Sequence, residues 1–454
     1  MLVNELWDRT RYRPFRTIAI PWRYRLTFSN PVDELVAKGY HEVAKAGKPF
    51  TVSYWRSDYV VFPPKYLPDI RRAGKAHLSL GDSICDVFFH RKWVGPLFQS
   101  QRMVDVTTKG LNPNLASVTD TMASYANESF ETEISNGKSD VGAMELVARL
   151  ISHIVAPVVF NKELAKNPEL LKATQSYLNG VFITGFLILK LPFSEVLGWP
   201  LWKLQQRRMN RVIDVVAPVV EKEIRERAQG LPRNGDVNAI SCSVDWLNKD
   251  TLDTDTTQIA RDIASEVNHD FQASTPNPAS IIVQMIFKVL EEPKWLGPLR
   301  EEAENAVKRH GWNVDMIKEL RLQDSFIREI GRAQPIAHLQ VQRRVMGEPL
   351  TLHDGIVLPV GTKTAIATDC QNDPDIIGHS PDFDGFRYAK LAEGNGEDGT
   401  WSATKPAKDN LLFGYGNHAC PGRLMGVRII KLVFSVALQR TGNTVSPTRG
   451  RKID

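Results

Sequence analysis

The 454-residue chain has little cysteine: Cys85, Cys242, Cys370 and Cys420, none in a CxxC pair and all far apart. That spacing suits no zinc site, a chain this long needs no disulfide framework, and the compartment reads as reducing. Three of the four are best read as small buried apolar residues. Long hydrophobic runs are missing as well. No stretch approaches the roughly 20 apolar residues of a membrane span, and no secretory signal is visible. Residues 1–22 carry four arginines instead (Arg9, Arg11, Arg13, Arg16), and the apolar stretch 177–191 is short, closed by Lys190 and Pro192, and reads as a buried helix. There is no run of Lys or Arg of the kind that forms a nucleic-acid arm, and no dinucleotide-binding fingerprint.

What is present suits a large folded protein. Hydrophobic residues make up 42% of the chain and charged ones 24%, enough for a sizeable core. The net charge of +5, from 57 basic and 52 acidic residues, is spread along the sequence. Each cluster reads first as solvated surface, and a basic face meeting an acidic redox partner or an anionic membrane stays open. Apolar residues at helical spacing predict helices over 30–45 (Asn30 as cap, Pro31 in the first turn), 114–133, 141–156, 169–181, 203–229 with a kink at Pro218, 257–271, 298–310 and 423–439. Strand signals cluster at 50–62, ended by Pro63-Pro64, and at 341–367, broken by His353-Asp354-Gly355 and Pro359-Val360-Gly361. Residues 369–410 read as a long coil. The expected fold is mainly α with a small β-rich lobe, in a single domain over 1–454.

The strongest chemical signal is Phe413-Gly414-Tyr415-Gly416-Asn417-His418-Ala419-Cys420-Pro421-Gly422-Arg423. A thiolate that binds iron needs a backbone able to pass beneath a flat macrocycle. Gly414, Gly416 and Gly422 remove side chains there and permit positive φ. A helix beginning just after Cys420 would turn N–H groups and its positive dipole end toward the sulfur. His418 and Arg423 add donors for cofactor carboxylates. The plainer reading is a Gly-rich turn holding a buried cysteine.

This string resembles the haem-ligand signature of the cytochrome P-450 family, whose fungal form reads Phe-Gly-x-Gly-x-His-x-Cys-Pro-Gly-Arg. The resemblance implies that Cys420 is the axial ligand of a haem b iron, with Phe413, Gly414, Gly416, His418 and Arg423 around the cofactor. It implies the P-450 fold. It also gives meaning to Glu329-Ile330-Gly331-Arg332, where i and i+3 share a helix face, and to Arg387 in Phe383-Asp384-Gly385-Phe386-Arg387. Glu329, Arg332 and Arg387 match the buried cluster that fixes the coil beneath the haem; as isolated residues they would be surface ion pairs. Segments 47–52, 59–64, 111–115 and 353–362 resemble fungal secondary-metabolite members similar to ent-kaurene oxidase.

The chain departs from that pattern in places. Family members that cleave dioxygen carry an acid-or-His and Thr pair on a long helix over the haem. Here Thr275 stands where the acid or His is expected and Pro276 where the Thr is, with Pro278 following, so the helix must kink or break. Either Thr275 or Ser274 takes over oxygen activation, or the enzyme rearranges, dehydrates or couples its substrate without splitting dioxygen; Thr275 also reads as a helix cap. The family's N-terminal anchor and closing C-terminal hairpin are expected to be missing. For the basic partner of a haem propionate, Lys109 is the candidate.

The resemblance thus implies a haem-thiolate monooxygenase oxidising a hydrophobic secondary metabolite, a terpenoid or polyketide. Its electrons would come from NADPH through a separate flavoprotein reductase, in the cytoplasm or at the endoplasmic-reticulum surface, with peripheral membrane contact. The alternatives are the rearranging enzyme and a degenerate haem-binding protein without turnover.

Overall fold

Side chains repeating every three to four residues build the helical body. The computed structural model describes residues 15–18, 31–54, 57–87, 100–134, 142–191, 194–232, 235–247, 256–395 and 399–440. The principal helices are α1 (Val32–Glu42), α2 (Leu67–His77), α3 (Leu115–Ile134), α4 (Ala143–Val159), α5 (Pro168–Lys190), α6 (Trp199–Ala228), α7 (Thr256–Ala273), α8 (Pro276–Glu291), α9 (Leu296–His310), α10 (Arg321–Ala333), α11 (Arg387–Asn395) and α12 (Arg423–Arg440). None among the described residues is long and apolar enough to cross a membrane.

Helix α4 runs through the centre of the helical core, with Ile151, Val155, Val158 and Val159 fully buried. Burying each such side chain is worth about 1.5–3 kcal/mol. Helix α5 starts at Asn167, whose side chain accepts from the N–H of Glu169 at 2.9 Å, with Pro168 at the first helical position. Pro218 sits inside α6 without ending it.

The β-rich lobe has its own apolar cluster. Its main sheet has six strands in the order β1 (Arg16–Ile18), β2 (Phe50–Tyr54), β3 (Ser57–Phe62), β8 (Lys363–Ala367), β5 (Leu339–Val345) and β4 (Leu78–Ser79). The pairs β1–β2 and β3–β8 are parallel, and the rest are antiparallel. A two-stranded hairpin, β6 (Leu350–Thr351) with β7 (Val357–Leu358), stands beside it. Period-two alternation turns Leu339, Val341, Arg343 and Val345 of β5 inward. The register slips between Gln340 and Arg343, and Val341 takes φ +54°, an unusual value for a β-branched residue that marks a bulge. The alternation along β5 aims a charged side chain, Arg343, into the interior.

Three expectations need correction. Residues 369–410 are not all coil: α11 and a short helix, Pro374–Ile377, lie within them, the latter capped by Asp373 and opened by Pro374. Local capping, which needs no long apolar repeat, explains why periodicity misses it. The apolar stretch 177–191 is helical but not buried throughout, because Phe182, Ile183, Phe186 and Leu187 face outward. Helix α1 begins after Pro31 without a side-chain cap, and Asn30 lies outside the described residues, as do 1–14 and 441–454, where the missing anchor and hairpin were expected.

Candidate active site

Helix α10 is the most charged of the buried helices, and its charges are spent on the coil that follows. Glu329 and Arg332 share a face and are both fully buried. Arg332 donates to Glu329 through Nε at 2.9 Å and Nη2 at 2.7 Å, a two-point pair. Burial opposes the Arg332 charge, but the Glu329 bonds outweigh it and hold its pKa above the ordinary value. Arg387, at the start of α11, reaches Glu329 Oε1 through Nη2 at 3.4 Å, and the N–H of Asp384 donates to the same oxygen at 3.0 Å. Arg332 also donates to Asn372 Oδ1 at 2.6 Å and to the carbonyls of Gln371 and Pro381. All three residues expected to cluster are together.

A fourth member carries no motif. Arg328 is buried, donates to Asp409 Oδ2 at 3.1 Å and to the Thr400 carbonyl at 3.0 Å, and stacks 4.2 Å over the Tyr388 ring. Its neighbour, α10's Glu329, holds 371–387, while Arg328 holds 400–409. The link to the cysteine loop is Gln371, whose side-chain oxygen accepts from the N–H of Leu411 at 2.7 Å.

That loop is folded by its own backbone. Gly414 and Gly416 have φ of +74° and +69°, which L side chains resist. A Cβ on Gly416 would also lie 3.3 Å from Arg71 Cα, so α2 requires glycine there. The Cys420 N–H donates to the Phe413 carbonyl at 2.8 Å and closes the turn that contains His418. Asn112, in the singled-out 111–115 segment, donates to the Pro421 carbonyl at 3.1 Å. Burial raises the Cys420 thiol pKa; the N–H groups of Gly422 and Arg423 and the Arg423 charge pull the other way, toward thiolate. The residue as a whole is only half-buried.

Arg423 is used differently from expectation. Its Nε donates to the Thr404 carbonyl at 3.1 Å and its Nη1 to the Cys420 carbonyl at 3.0 Å, so it clamps the loop. Lys109 is exposed and paired with Asp105 at 2.8 Å. The buried cation next to the loop is Arg343 instead, which donates to the Tyr415 carbonyl through Nη2 at 3.0 Å. It has no carboxylate partner among the described residues, its Nε has no hydrogen-bond partner, and burial lowers its pKa to about 10. Alternation along β5 turns this ordinary strand arginine inward together with Leu339 and Val345, so its sequence carries no other signal. A sulfur with N–H donors and an unmatched buried cation beside it fit an iron porphyrin, whose metal takes a thiolate and whose edge carries carboxylates.

The break predicted at Pro276 falls between α7 and α8. Thr275 is fully buried, and its Oγ1 donates to the Phe271 carbonyl at 3.1 Å. It makes no side-chain cap bond to α8. The cap expected of it is therefore corrected: its hydroxyl bonds back to the i−4 carbonyl, which also accepts from the Ser274 N–H at 3.2 Å. Ser274 is half-buried and donates to the Asp270 carbonyl at 2.7 Å.

The family model described as Cytochrome P450 matches residues 70–452. The chain is 32% identical over 411 residues to cytochrome P450 monooxygenase sirB of Leptosphaeria maculans, covering 87% of this chain and 77% of that protein. It is 26% identical over 452 residues to an ent-kaurene oxidase of Gibberella intermedia, covering 96% and 83%. It is 26% identical over 335 residues to fumitremorgin C monooxygenase of Aspergillus fumigatus, covering 72% and 66%.

Proposed function

Because the chain belongs to the cytochrome P450 family of haem-iron oxidoreductases, we propose that it is a monooxygenase of a hydrophobic secondary metabolite, with Cys420 as the iron ligand, in one domain spanning the chain. The observation that carries this reading is the Cys420 loop: a sulfur with N–H donors from Gly422 and Arg423, on a coil pinned by Glu329, Arg332 and Arg387. A haem held there supplies dioxygen activation and oxygen insertion. The chain's part would be to hold it: Cys420 would ligate the metal, Phe413 and the loop glycines would leave room for the ring, and Arg343 and His418 would offer donors to its carboxylates. The secondary-metabolite class is supported by the likeness to an ent-kaurene oxidase and a fumitremorgin C monooxygenase.

The reduced, CO-bound absorption spectrum tests the ligand. A thiolate-type Soret band is expected, and Cys420→Ser is expected to abolish it; a band unchanged in that variant refutes the assignment. The break at Thr275 supports a second reading, a P450 that rearranges or couples its substrate. Stoichiometric NADPH and dioxygen consumption with a reductase present separates the two.

Two partners complete the proposal. Arg71 and Arg72 are exposed beside a hollow formed with Pro68, Tyr415 and Asn417, at the loop that leads to Cys420. This basic rim supports docking of an acidic flavoprotein reductase fed by NADPH. The second is an anionic membrane surface, in keeping with a location at the endoplasmic-reticulum surface rather than free in the cytoplasm. Phe182, Ile183, Phe186 and Leu187 on α5 are exposed, as are Val196, Leu197, and Trp199 and Leu204 on α6. The ends of α5 and α6 lie side by side, since Gln205 donates to the Tyr177 carbonyl at 3.0 Å. Lys203, Arg207 and Arg211 share the outer face of α6 with Leu204, so an apolar patch is bordered by positive charge.

A further inference from the structure

Asp270 is a charged group that the proposed reaction leaves without a task. It lies on α7, one turn before the break, and neither carboxyl oxygen has a hydrogen-bond or ion-pair partner among the described residues. Burial, with the Glu266 charge adding to it, pushes its pKa well above the ordinary range. Yet the residue is only half-buried. A carboxyl so deeply desolvated and still accessible opens into a space inside the molecule. Ala273 and Asn277, on either side of the break, are exposed in the same way, and the Asn277 amide has no partner among the described residues.

One short helical segment ties this space to Cys420. Glu266, one turn before Asp270, accepts from Ser100 Oγ at 2.6 Å and Arg102 Nε at 2.5 Å. The same segment continues to Thr107, whose Cγ2 lies 4.0 Å from where a Gly422 Cβ would stand, and that point is 4.0 Å from Cys420 Sγ. Five residues of helix span only about 8 Å. The segment that packs on Glu266, one turn from Asp270, therefore also reaches the cysteine loop.

Glu266 is neutralised by Arg102, whereas Asp270 has no cation among the described residues. An unpaired carboxyl in a low-dielectric space gains most from a positive charge, since a charge-assisted bond there is about twice as strong as a neutral one. We propose that Asp270 is the anchor for a basic nitrogen of the substrate, so that the enzyme acts on a hydrophobic amine or nitrogen heterocycle in its protonated form. The inference rests on the reading of Cys420 as the iron ligand and narrows the substrate class of that same site. Asn277 stands ready to bond a neighbouring polar group of the same molecule.

The test uses the haem-loaded full chain and two probes of equal chain length. Decyltrimethylammonium carries a fixed charge and no lone pair for iron; 1-decanol is neutral. Dissociation constants are read from the Soret shift and, independently, by calorimetry. The wild type is expected to bind the cation about tenfold or more tightly than the alcohol. Asp270→Asn should remove that preference while leaving decanol binding unchanged, and Asp270→Glu should keep part of it. Equal wild-type affinities overturn the proposal, and so does a loss of both ligands alike in Asp270→Asn. If Asp270→Asn fails to load haem, the wild-type ratio and Asp270→Glu still decide. Absent preference with a thiolate-type CO spectrum defeats the anchor alone; an absent thiolate band defeats the Cys420 reading itself.

Discussion

Arg332 closes on Glu329 with two nitrogens, at 2.9 and 2.7 Å, and uses the third to hold Asn372, so one buried pair joins α10 to the coil ahead of the cysteine loop. Removing one partner strands the other charge in the interior, which costs about 3–5 kcal/mol. Glu329→Ala and Arg332→Ala are each expected to lower the unfolding midpoint sharply and to abolish the thiolate-type CO spectrum. Arg332→Lys, which cannot bond at two points, should rescue little. Normal haem loading in either alanine variant would show that the pair does not position the loop.

Arg343 has opposite consequences with and without cofactor. As an unmatched buried cation it costs the haem-free protein stability, and Arg343→Met should leave the haem-free unfolding midpoint unchanged or higher. Haem retention should fall by about tenfold or more, because a charge-assisted bond is lost. Haem-transfer kinetics to an acceptor protein, beside thermal unfolding of both forms, separate the effects.

His269 sits between α5 and α7, its Nδ1 2.8 Å from the Ser265 carbonyl and its Nε2 3.3 Å from the Tyr177 hydroxyl. Burial lowers its pKa from 6.5 to about 4. Between those values the unfolded chain takes up a proton that the folded one refuses. Stability is therefore fully present above pH 6.5 and falls as pH drops toward 4, by up to about 3 kcal/mol. Urea unfolding across that range should show the slope, and His269→Gln should flatten it.

Glu302 produces a slope of the other sign. Its carboxylate accepts from the N–H groups of Leu322 and Gln323 at 2.5 and 3.0 Å, at the start of α10. Burial nonetheless raises its pKa from 4.5 to about 7. The neutral form is favoured on folding, so its contribution is complete below pH 4.5 and is lost as pH rises through 7, again by up to about 3 kcal/mol. Glu302→Gln keeps an acceptor for one of the two N–H groups, and its unfolding free energy should lose this pH-dependent component between pH 5 and 8.

The exposed ends of α5 and α6 predict binding to anionic vesicles. Phe186→Ser together with Trp199→Ser should lower partitioning onto phosphatidylserine-containing vesicles by about tenfold or more, from lost apolar burial. Added salt should weaken wild-type binding by screening Lys203, Arg207 and Arg211. Flotation assays check both, and unchanged flotation of the double variant would remove the membrane from the list of partners.

Much of the site was legible before folding because its signals are local. Gly414 and Gly416 are needed by the backbone at those positions, the i and i+3 spacing of Glu329 and Arg332 places them on one face, and Pro276 with Pro278 marks a break where the lone Pro218 does not. Membership of the family, the helical body and the candidate iron ligand follow from such features. Tertiary structure decided what depends on direction. Arg343 matters because the fold of β5 against the cysteine loop brings it to the Tyr415 carbonyl, and the Thr275 hydroxyl bonds back to the Phe271 carbonyl. Asp270 has no ion-pair partner among the described residues, while Glu266 one turn before it takes Arg102, distant in sequence. The outward face of 182–187 was also hidden, since an apolar run reads the same whether a neighbour covers it or not. Sequence periodicity reports which residues are apolar; only packing determines which of them, and which charges, find a partner.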